Sequence, residues 1–281
     1  MRRGWGEGAT EPICLPITDH IARLTSRALI RVSGADAKPF LHNLLTQDVE
    51  TLADGDLRFA GMLSPPGRLL FDLFVWGEDG SVVLDVAADR RDALMGRLSM
   101  YKLRAQVEIA ADDRPVMACW PGAAAGFLAD PRTAGMGGRS IGDHAADASE
   151  TDYDAHRLSV GVPDPTADAG SDRTYPIEAN FDLLNGIDFQ KGCFVGQETT
   201  SRMKRRGEIK KRMLPLTFDG PAPEPGAEVL NGELRAGEVL TGRDGVAMAL
   251  VRLDRLDGAL TVDGRRVAVQ WPGWMTKVAG H

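Results

Sequence analysis

The chain has 281 residues, of which 43% are hydrophobic and 26% charged, and its formal net charge is −7. These proportions are those of an ordinary globular protein and exclude the disordered and fibrous classes. The apolar runs are too short to cross a bilayer, and Arg2 and Arg3 are followed by no apolar stretch, which argues against a secretory signal. We therefore expect a cytoplasmic protein of two or three domains that has no membrane span.

The first part of the chain is predicted to form an α+β unit. Alternating Ile and Val residues indicate a strand over 27–33, and apolar residues at helical spacing indicate a helix over 40–49. Turn residues then separate three strands, which we expect to form an antiparallel meander before a second helix and a last strand. The predicted ranges are 58–63, 68–76 and 81–86 for the meander, 89–103 for the helix and 106–110 for the last strand.

After residue 212 the pattern changes to short strands separated by tight turns. Asn-Gly and Asp-Gly pairs favour such turns, because a positive φ costs little at these residues. The pattern indicates a small β-barrel or a sandwich. The predicted strands cover 213–218, 228–230, 233–241, 246–253, 259–262 and 265–269. The interval 121–152, rich in Gly, Ala and Asp, gives no clear prediction.

The cysteines and histidines argue against a disulfide framework and against a metal site built by this chain alone. Cys14, Cys119 and Cys193 are odd in number, lie far apart and form no CxxC motif, so we expect reduced thiols. The histidines show neither HxxxH nor HExxH spacing, so the sequence does not support a zinc or non-haem iron site.

The segment 191–198, Lys-Gly-Cys-Phe-Val-Gly-Gln-Glu, carries the most chemistry. Cys193 lies between Gly192 and Gly196 and follows Lys191, where a helix is predicted to begin. The positive end of a helix and a neighbouring cation both favour a thiolate over a thiol. The two glycines allow a sharp turn or a close approach to a ligand. The alternative is a buried cysteine that acts as a small, inert hydrophobe.

This segment and the residues before it closely resemble the signature of the YgfZ-type folate-binding family. That family is related to the glycine-cleavage T-protein, an aminomethyltransferase, and is implicated in iron–sulfur cluster assembly. Residues 180–190, Asn-Phe-Asp-Leu-Leu-Asn-Gly-Ile-Asp-Phe-Gln, lead into the pattern Lys-Gly-Cys-aromatic-x-Gly-Gln-Glu, whose fixed positions are all filled. Moderate similarity extends from residue 29 to residue 254.

The resemblance implies an α+β fold, a three-lobed T-protein-like ring of antiparallel sheets and helices with a small C-terminal β-barrel. We place an N-terminal α+β lobe at 1–110, a central α+β lobe carrying the signature at 111–205 and the barrel at 213–281, with the first two lobes able to interleave. The same resemblance implies a central folate cleft, with tetrahydrofolate or a one-carbon derivative as its ligand.

The resemblance also implies roles for individual residues. A carboxylate can satisfy the paired donors of a pterin edge, and Glu178 is our candidate, the alternative being an ordinary surface carboxylate. Arginine and lysine side chains suit the glutamate carboxylates of folate, and Lys191 is expected to hold either the thiolate or such a carboxylate. The predicted folate-binding residues are Glu178, Asn180, Arg157, Gly196, Gln197, Glu198, Arg202 and Lys204. Gln197 and Glu198 alternatively cap the helix that follows.

One departure from the family pattern concerns catalysis. Where the aminomethyltransferases carry two adjacent aspartates, this chain has Phe71 and Asp72. A catalytic carboxylate has to lie within hydrogen-bond reach of the reacting amine, so the loss of one indicates changed chemistry rather than glycine cleavage. Asp72 remains the candidate for a residual catalytic carboxylate, and whether the protein is an enzyme is left open.

Cys193 suggests what replaced that chemistry. A lone exposed thiolate at the rim of the folate cleft can supply one ligand to an iron–sulfur cluster shared with another protein, although it cannot supply the full ligand set of an internal cluster. The resemblance implies an A-type iron–sulfur carrier as that other protein. Alternatively, the thiolate attacks or guards a one-carbon unit carried by folate.

A basic strip follows the signature directly. Residues 202–212 include seven lysines and arginines against the single acidic residue Glu208. The strip is interpreted as a solvated face, as a site for the glutamate tail of folate, or as a site for an RNA backbone.

The leading functional prediction is a folate-binding accessory factor for the assembly or repair of 4Fe–4S proteins. The first alternative is a folate-dependent aminomethyl or one-carbon transferase. The second is a tRNA-binding or tRNA-modification accessory protein that uses the basic strip, with tRNA or tRNA-modifying iron–sulfur enzymes as partners. Against the second alternative, the strip lacks the interleaved aromatic residues that normally accompany such binding.

Overall fold

The computed structural model describes residues 19–205 and 209–275. The strands of the first part are β1 (His20–Arg23), β2 (Arg27–Ser33), β3 (Leu57–Leu63), β4 (Leu69–Glu78), β5 (Ser81–Ala87) and β6 (Glu108–Asp112). All except β1 form a five-stranded antiparallel sheet in the order β3-β4-β5-β2-β6. The predicted meander is thereby confirmed as β3, β4 and β5.

Two helices, α1 (Ala37–His42) and α2 (Arg91–Lys102), pack on this sheet. Leu41 of α1 and Leu94 of α2 are buried in one cluster with Val32 and Leu84 of the strands. Removing these apolar surfaces from water is the main force that holds the helices on the sheet. The predicted α+β character of the first lobe is confirmed.

Helix α1 is shorter than predicted, because it ends at His42 rather than near residue 49. The ammonium group of Lys191 donates hydrogen bonds to the carbonyl oxygen of His42 and to those of Leu45 and Gln47, at 2.6 and 3.1 Å. A cation from a distant segment thus binds carbonyls that a longer helix would pair internally. Leu45 is still fully buried, which explains why the apolar pattern continues past the end of the helix.

The second sheet contains β1 together with β7 (Val116–Trp120), β8 (Leu128–Ala129) and β9 (Gly138–Ile141), in the order β1-β7-β9-β8. Strand β1 pairs with β7, so the first described strand lies in the second lobe. Strands β8 and β9 lie in the interval 121–152, for which no clear prediction was made. They are only two and four residues long, which leaves too little alternation for a sequence pattern to show.

Two helices follow the second sheet, α3 (Glu150–Val160) and α4 (Pro165–Ala169). Helix α3 begins with a capping box between Ser149 and Asp152 and ends at Gly161, whose φ of +77° suits glycine. A third helix, α5 (Gln197–Arg205), starts within the signature, as predicted. No helix in the described part of the chain is long and apolar enough to cross a membrane.

The last lobe is a closed six-stranded barrel in the order β10-β13-β12-β11-β14-β15. Its strands are β10 (Lys211–Thr217), β11 (Glu228–Asn231), β12 (Leu234–Arg243), β13 (Val246–Arg252), β14 (Leu260–Val262) and β15 (Arg265–Val269). Leu214, Val239 and Val262 are among its buried core residues. The predicted barrel is confirmed, and the alternative of a sandwich is wrong because the sheet closes on itself.

A further core joins the lobes. It contains Phe59 of the first sheet, Trp120 of the second and Met213 of the barrel in one buried cluster. The lobes therefore share apolar packing around their meeting point, and that packing surrounds the cavity described next.

Candidate functional site

A cavity of about 370 Å³ lies where the lobes meet. Its walls come from β2 and β4, from α3 and the loop before α4, and from the end of β12. Phe59 and Phe74 contribute aromatic surface. The volume falls in the range of about 300–1,000 Å³ that is usual for small-molecule sites. The charged residues of the lining are Arg27, Asp72, Arg132, Arg139, Glu150, Asp154, Arg157, Asp164 and Arg243.

Asp85 lies behind one wall of the cavity and fixes two of its arginines. The carboxylate is fully buried and accepts hydrogen bonds from Nε of Arg27 at 2.7 Å and from Nη2 of Arg139 at 2.6 Å. The guanidinium of Arg139 lies 3.8 Å from the ring centroid of Phe74. The ion pairs with Asp85 hold both arginines in place, and they offset the free energy that burying these charges costs.

Arg132 and Tyr153 extend this network. Arg132 pairs with buried Asp130 at 2.7 Å and donates to the hydroxyl oxygen of Tyr153 at 3.0 Å, while Arg139 donates to the same oxygen at 3.3 Å. These residues were not predicted from the sequence. Isolated arginines far apart in the chain carry no motif, and only the fold brings them together.

Asp72, the predicted residual catalytic carboxylate, lines the cavity but already has partners. It accepts hydrogen bonds from Nη1 of Arg27 at 3.1 Å and from the hydroxyl of Thr166. Burial by itself would raise the pKa of Asp72, yet Arg27 and Thr166 hold it below its ordinary value. Such a carboxylate is charged at neutral pH, so it suits stabilisation of a cation better than uptake of a proton. Its part in any turnover remains a prediction.

Asp164 has the opposite character. It precedes α4, and one carboxylate oxygen accepts a hydrogen bond from the amide of Ala167 at 3.3 Å. Burial, together with the negative charge of Asp72, raises the pKa of Asp164 to about 6. Asp164 was not predicted from the sequence, although it lies within the range 29–254 that is similar to the family.

We expect Asp164→Asn to stabilise the protein, by an amount that grows as the pH rises through about 6. Because the pKa of Asp164 is raised on folding, the folded state binds more protons than the unfolded state between the ordinary value of 3.8 and about 6, and the free energy of unfolding falls over that interval. Asparagine removes this charge and still caps α4. Urea denaturation at pH 8 should show a gain of roughly 1–3 kcal/mol that disappears near pH 4. Equal stabilities at both pH values would contradict this account.

Arg157, a predicted folate-binding residue, also lines the cavity. Its guanidinium is buried and pairs with Asp168 at 3.1 Å and Asp154 at 2.7 Å, and it donates to the carbonyl oxygen of Val162 at 2.9 Å. These bonds join α3 to the segment around α4. Contact between Arg157 and a folate carboxylate remains a prediction.

Cys193 lies in the loop before α5, and its side chain is exposed. The alternative of an inert, buried thiol is therefore wrong for this residue, whereas Cys119 is buried. The described residues that line the central cavity include none from 191–198. The structure thus separates the thiol from the cavity wall, although the sequence analysis placed both in one site.

Close packing fixes the loop of Cys193 against the first lobe. Gly196 has a φ of +82°, and a Cβ at this position would lie 2.9 Å from the Cα of Gly67 and from the carbonyl oxygen of Ser64. The amide of Val195 donates to the carbonyl oxygen of Asn43 at 3.3 Å. The glycine at 196 is therefore required by backbone contact within the protein.

Lys191 fastens the other end of the same loop. Its ammonium binds the carbonyl oxygens after α1 described above and lies 5.1 Å from the ring centroid of Phe194. Burial lowers the pKa of Lys191 to about 8, so the side chain is still mostly protonated at neutral pH. The structure places this cation on the backbone of the first lobe, whereas the sequence analysis expected it on the thiolate or a folate carboxylate.

The predicted residues of α5 lie on the outside of the protein. Gln197, Glu198 and Lys204 line a shallow groove of about 660 Å³, in which Nζ of Lys204 lies 3.4 Å from the ring centroid of Phe189. Arg202 is exposed on the same helix. Within the described ranges, these four side chains are absent from the lining of the central cavity. Their part in folate binding remains a prediction.

Glu178 and Asn180 connect the central segment to the barrel. The carboxylate of Glu178 accepts a hydrogen bond from the amide of Tyr175 at 3.0 Å. The buried side chain of Asn180 donates to the carbonyl oxygen of Met213 at 2.7 Å and accepts from Arg212 at 3.0 Å. Neither residue belongs to the described lining of the cavity, and their predicted contacts with folate remain predictions.

The basic strip loses one of its cations to the interior of the protein. Arg202, Lys204 and Arg205 are exposed near the end of α5, but Arg212 is buried and pairs with Asp182 at 2.9 Å. Arg206 and Glu208 lie outside the described residues. Lys210 and Lys211 are exposed, so Arg212 is the one described cation of the strip that is withdrawn from the surface.

Comparison with solved structures supports the fold. The chain is similar to the crystal structure of glycine cleavage system aminomethyltransferase T from Bartonella henselae, with a TM-score of 0.71 over 89% of this chain and 84% of that one. Their sequence identity is 19%, so this likeness concerns the fold alone. A family model described as the CAF17 C-terminal beta-barrel domain matches residues 210–277, which is the barrel lobe.

Sequence comparison decides the family. The chain is 30% identical to iron-sulfur cluster assembly factor IBA57, mitochondrial, from Homo sapiens, over 92% of this chain and 85% of that protein. It is 32% identical to the Mus musculus protein of the same name, over 99% of this chain and 91% of that protein. The chain belongs to the IBA57 family. The YgfZ-type resemblance seen in the signature is to the bacterial relatives of the IBA57 family.

The predicted cytoplasmic location is wrong by this comparison. The IBA57 relatives from Homo sapiens, Mus musculus and Neurospora crassa are all named mitochondrial. The prediction failed because an apolar N-terminal stretch is a mark of secretory signals alone. Mitochondrial targeting segments are amphipathic and arginine-rich, so the same observation does not distinguish the cytoplasm from that organelle.

The ligands that the YgfZ-type resemblance implies can be tested against the side chains. Across 19–205 and 209–275, no group of three or more His, Cys, Asp or Glu side chains could hold a metal ion. Exposed Cys193 therefore fits one thiolate of a shared cluster, and not a cluster enclosed by these residues. The cavity fits a flat heterocycle, because it combines aromatic surface with arginine and carboxylate groups.

Proposed function

We propose that this chain is an accessory factor for the assembly or repair of 4Fe–4S proteins, in which Cys193 supplies one thiolate ligand to a cluster shared with a partner. The observation that carries the proposal is the exposed thiol on a loop held by Lys191 at one end and Gly196 at the other. Membership of the IBA57 family supports the same role.

The partner is a protein that supplies the remaining ligands. Iron–sulfur clusters are normally held by several cysteine thiolates, and this loop offers one. We propose an A-type iron–sulfur carrier as that protein. The exposed cations Arg202, Lys204 and Arg205 follow Cys193 on α5 and would favour the approach of an anionic thiolate-bound cluster.

The second part of the proposal places tetrahydrofolate or a one-carbon derivative in the central cavity. Phe59 and Phe74 offer flat apolar surface, and Arg139 is stacked on Phe74 where it extends that surface. The network through Asp85 holds these groups before a ligand arrives, which lowers the entropic cost of binding. Folate bound in this cavity would make the protein responsive to the supply of one-carbon units. The proposed cluster ligand, Cys193, lies outside the cavity.

A one-carbon transferase is the second candidate, because Asp72 lies on the cavity wall. A cationic intermediate of such a transfer would be stabilised by this charged carboxylate. The third candidate, binding of tRNA, has less support because buried Arg212 is removed from the basic strip.

We expect wild-type protein and Cys193→Ser to bind tetrahydrofolate equally well, because Cys193 does not line the cavity. Asp72→Asn should bind more weakly, since it disturbs Arg27 and Thr166 in the wall. Anaerobic titration calorimetry measures the affinities, and an assay for one-carbon transfer to an amine measures turnover. Turnover that is lost in Asp72→Asn and kept in Cys193→Ser would favour the transferase. Failure of the wild type to bind would refute the folate part of the proposal.

The assembly role is tested separately in the source organism. Deletion of the gene should lower the activity of 4Fe–4S enzymes under oxidative stress, and wild-type protein should restore it. Normal enzyme activity in the deletion strain would refute the assembly role, whatever the result of the folate titration.

A further inference from the structure

The carboxylates on the cavity wall differ in how well they are paired. Asp72 pairs with Arg27, and Asp154 pairs with Arg157 at 2.7 Å. Glu150 accepts hydrogen bonds from the amides and hydroxyls of Thr25 and Ser26. Within the described part of the chain, each of these three carboxylates therefore accepts hydrogen bonds from an arginine or from several neutral donors.

Asp164 is the exception. Its carboxylate accepts one long hydrogen bond of 3.3 Å from the amide of Ala167, and it forms no ion pair with any residue of 19–205 or 209–275. The residue is half-buried and lines the cavity, and its second carboxylate oxygen, Oδ2, accepts no hydrogen bond from the described residues. A carboxylate left in this state costs folding free energy, since burial is not offset by a partner.

The arginines near Asp164 are already engaged by other carboxylates. Arg27 is bound by Asp72 and Asp85, Arg132 by Asp130, and Arg157 by Asp154 and Asp168. The charged groups that face Asp164 come from β2, β4, α3, α4 and the loop before β9, and they are Arg27, Asp72, Arg157, Asp168 and Arg132. Several cations thus lie close to Asp164, but each of them is paired with another carboxylate.

We propose that Asp164 is the carboxylate that recognises the ligand of the central cavity, by accepting two N–H donors from the amidine-like edge of a flat heterocycle. This inference rests on the proposed binding of a folate and assigns its pterin edge to Asp164. A charged carboxylate can accept two parallel N–H bonds, as a 2-amino group and an adjacent ring N–H would supply them. Phe59 and Phe74 line the same cavity and would contact the faces of the ring.

The assignment makes ligand binding depend on pH. Two N–H donors require the ionised carboxylate, and burial raises the pKa of Asp164 to about 6. Affinity should therefore rise about tenfold from pH 5 to pH 7 and then level off, since the competent form is scarce at the lower pH. At pH 6, binding should release about half a proton, because roughly half of the free protein is protonated at Asp164.

The test is calorimetric titration with 5-formyltetrahydrofolate, whose acylated N5 does not take up a proton in this range. Wild type, Asp164→Asn and the matched control Asp254→Asn, at a surface aspartate outside the cavity lining, are compared between pH 5 and pH 8, in two buffers with different ionisation enthalpies. At pH 7.5, Asp164→Asn should bind at least about tenfold more weakly, in line with the loss of bonds to a charged group. The pH profile of Asp164→Asn should be flat, and Asp254→Asn should behave as the wild type does.

Several results would overturn the assignment. Asp164→Asn that binds within twofold of the wild type, or that keeps its pH profile, would refute it while leaving folate binding intact. Proton uptake, or no proton exchange, by the wild type at pH 6 would refute it without reference to any variant. No binding by the wild type would refute both the assignment and the proposed folate function, so the two failures are distinguishable.

Discussion

Cys193→Ser should form no stable cluster-bridged complex with a cluster-loaded carrier, although it should fold and bind folate as the wild type does. The side chain is exposed, so its replacement removes little packing and should leave thermal stability unchanged. The serine hydroxyl is not ionised at neutral pH and is a poor ligand for iron compared with a thiolate. Loss of groups that only support a metal ligand already costs about 10–100-fold in affinity, and loss of the ligand should cost at least as much.

The measurement is anaerobic mixing of each protein with the loaded carrier. The visible absorption and electron paramagnetic resonance of the cluster are recorded after separation of the complex by size. Cys119→Ala is the matched control, because this second described cysteine is buried on β7 and its sulfur contacts Ala124 at 3.3 Å. It should lower stability through lost packing and still form the complex. A stable cluster-bridged complex with Cys193→Ser would contradict the proposed ligand role.

Asp85→Asn should destabilise the protein by about 3–5 kcal/mol, the cost of breaking a buried ion pair from one side. The carboxylate is fully buried and binds both Arg27 and Arg139, so an amide of nearly the same volume leaves two buried cations undercompensated. The amide nitrogen would also face guanidinium donors and so replace an acceptor with a donor. Because both arginines line the cavity, ligand affinity should fall together with stability.

Urea denaturation at pH 7 measures this effect, with folate binding tested at a temperature where the variant is folded. Asp254→Asn provides the comparison, since Asp254 and its partner Arg252 form an ion pair of 2.8 Å on the protein surface. Solvent-exposed pairs contribute little, so this variant should unfold at an unchanged denaturant concentration. Equal midpoints for Asp85→Asn and the wild type would show that the arginines are held by other contacts.

The elements with a regular local pattern could be predicted from the sequence. Strand β2 was predicted with its observed bounds, as was β15, because alternating side chains report directly on which face of a strand is buried. The beginning of α5 was found for a similar reason, since the signature combines glycine with helix-forming residues. Helix α1 was overextended, because the local pattern contains no sign that Lys191 binds the carbonyls beyond His42.

The candidate site was predictable only in part. Cys193 and Asp72 were found because each lies in a segment that resembles a known family, and the structure places the first on an exposed loop and the second on the cavity wall. Arg132, Arg139 and Asp164 were missed, since each is an isolated charged residue without a motif. Their roles depend on which charged side chains pair with one another, and those pairs form only when the chain has folded.

The sequence by itself determined the α+β character of the first lobe, the short strands of the last lobe and the membership of a cluster-assembly family, because periodicity, turn residues and a contiguous signature are local properties of the chain. The tertiary structure decided that the thiol lies apart from the cavity and that Asp164 has no cation of its own among residues 19–205 and 209–275. Both facts depend on contacts between residues far apart in the chain. Electrostatic energies depend on distance and burial in space, so they could not be obtained from residue order.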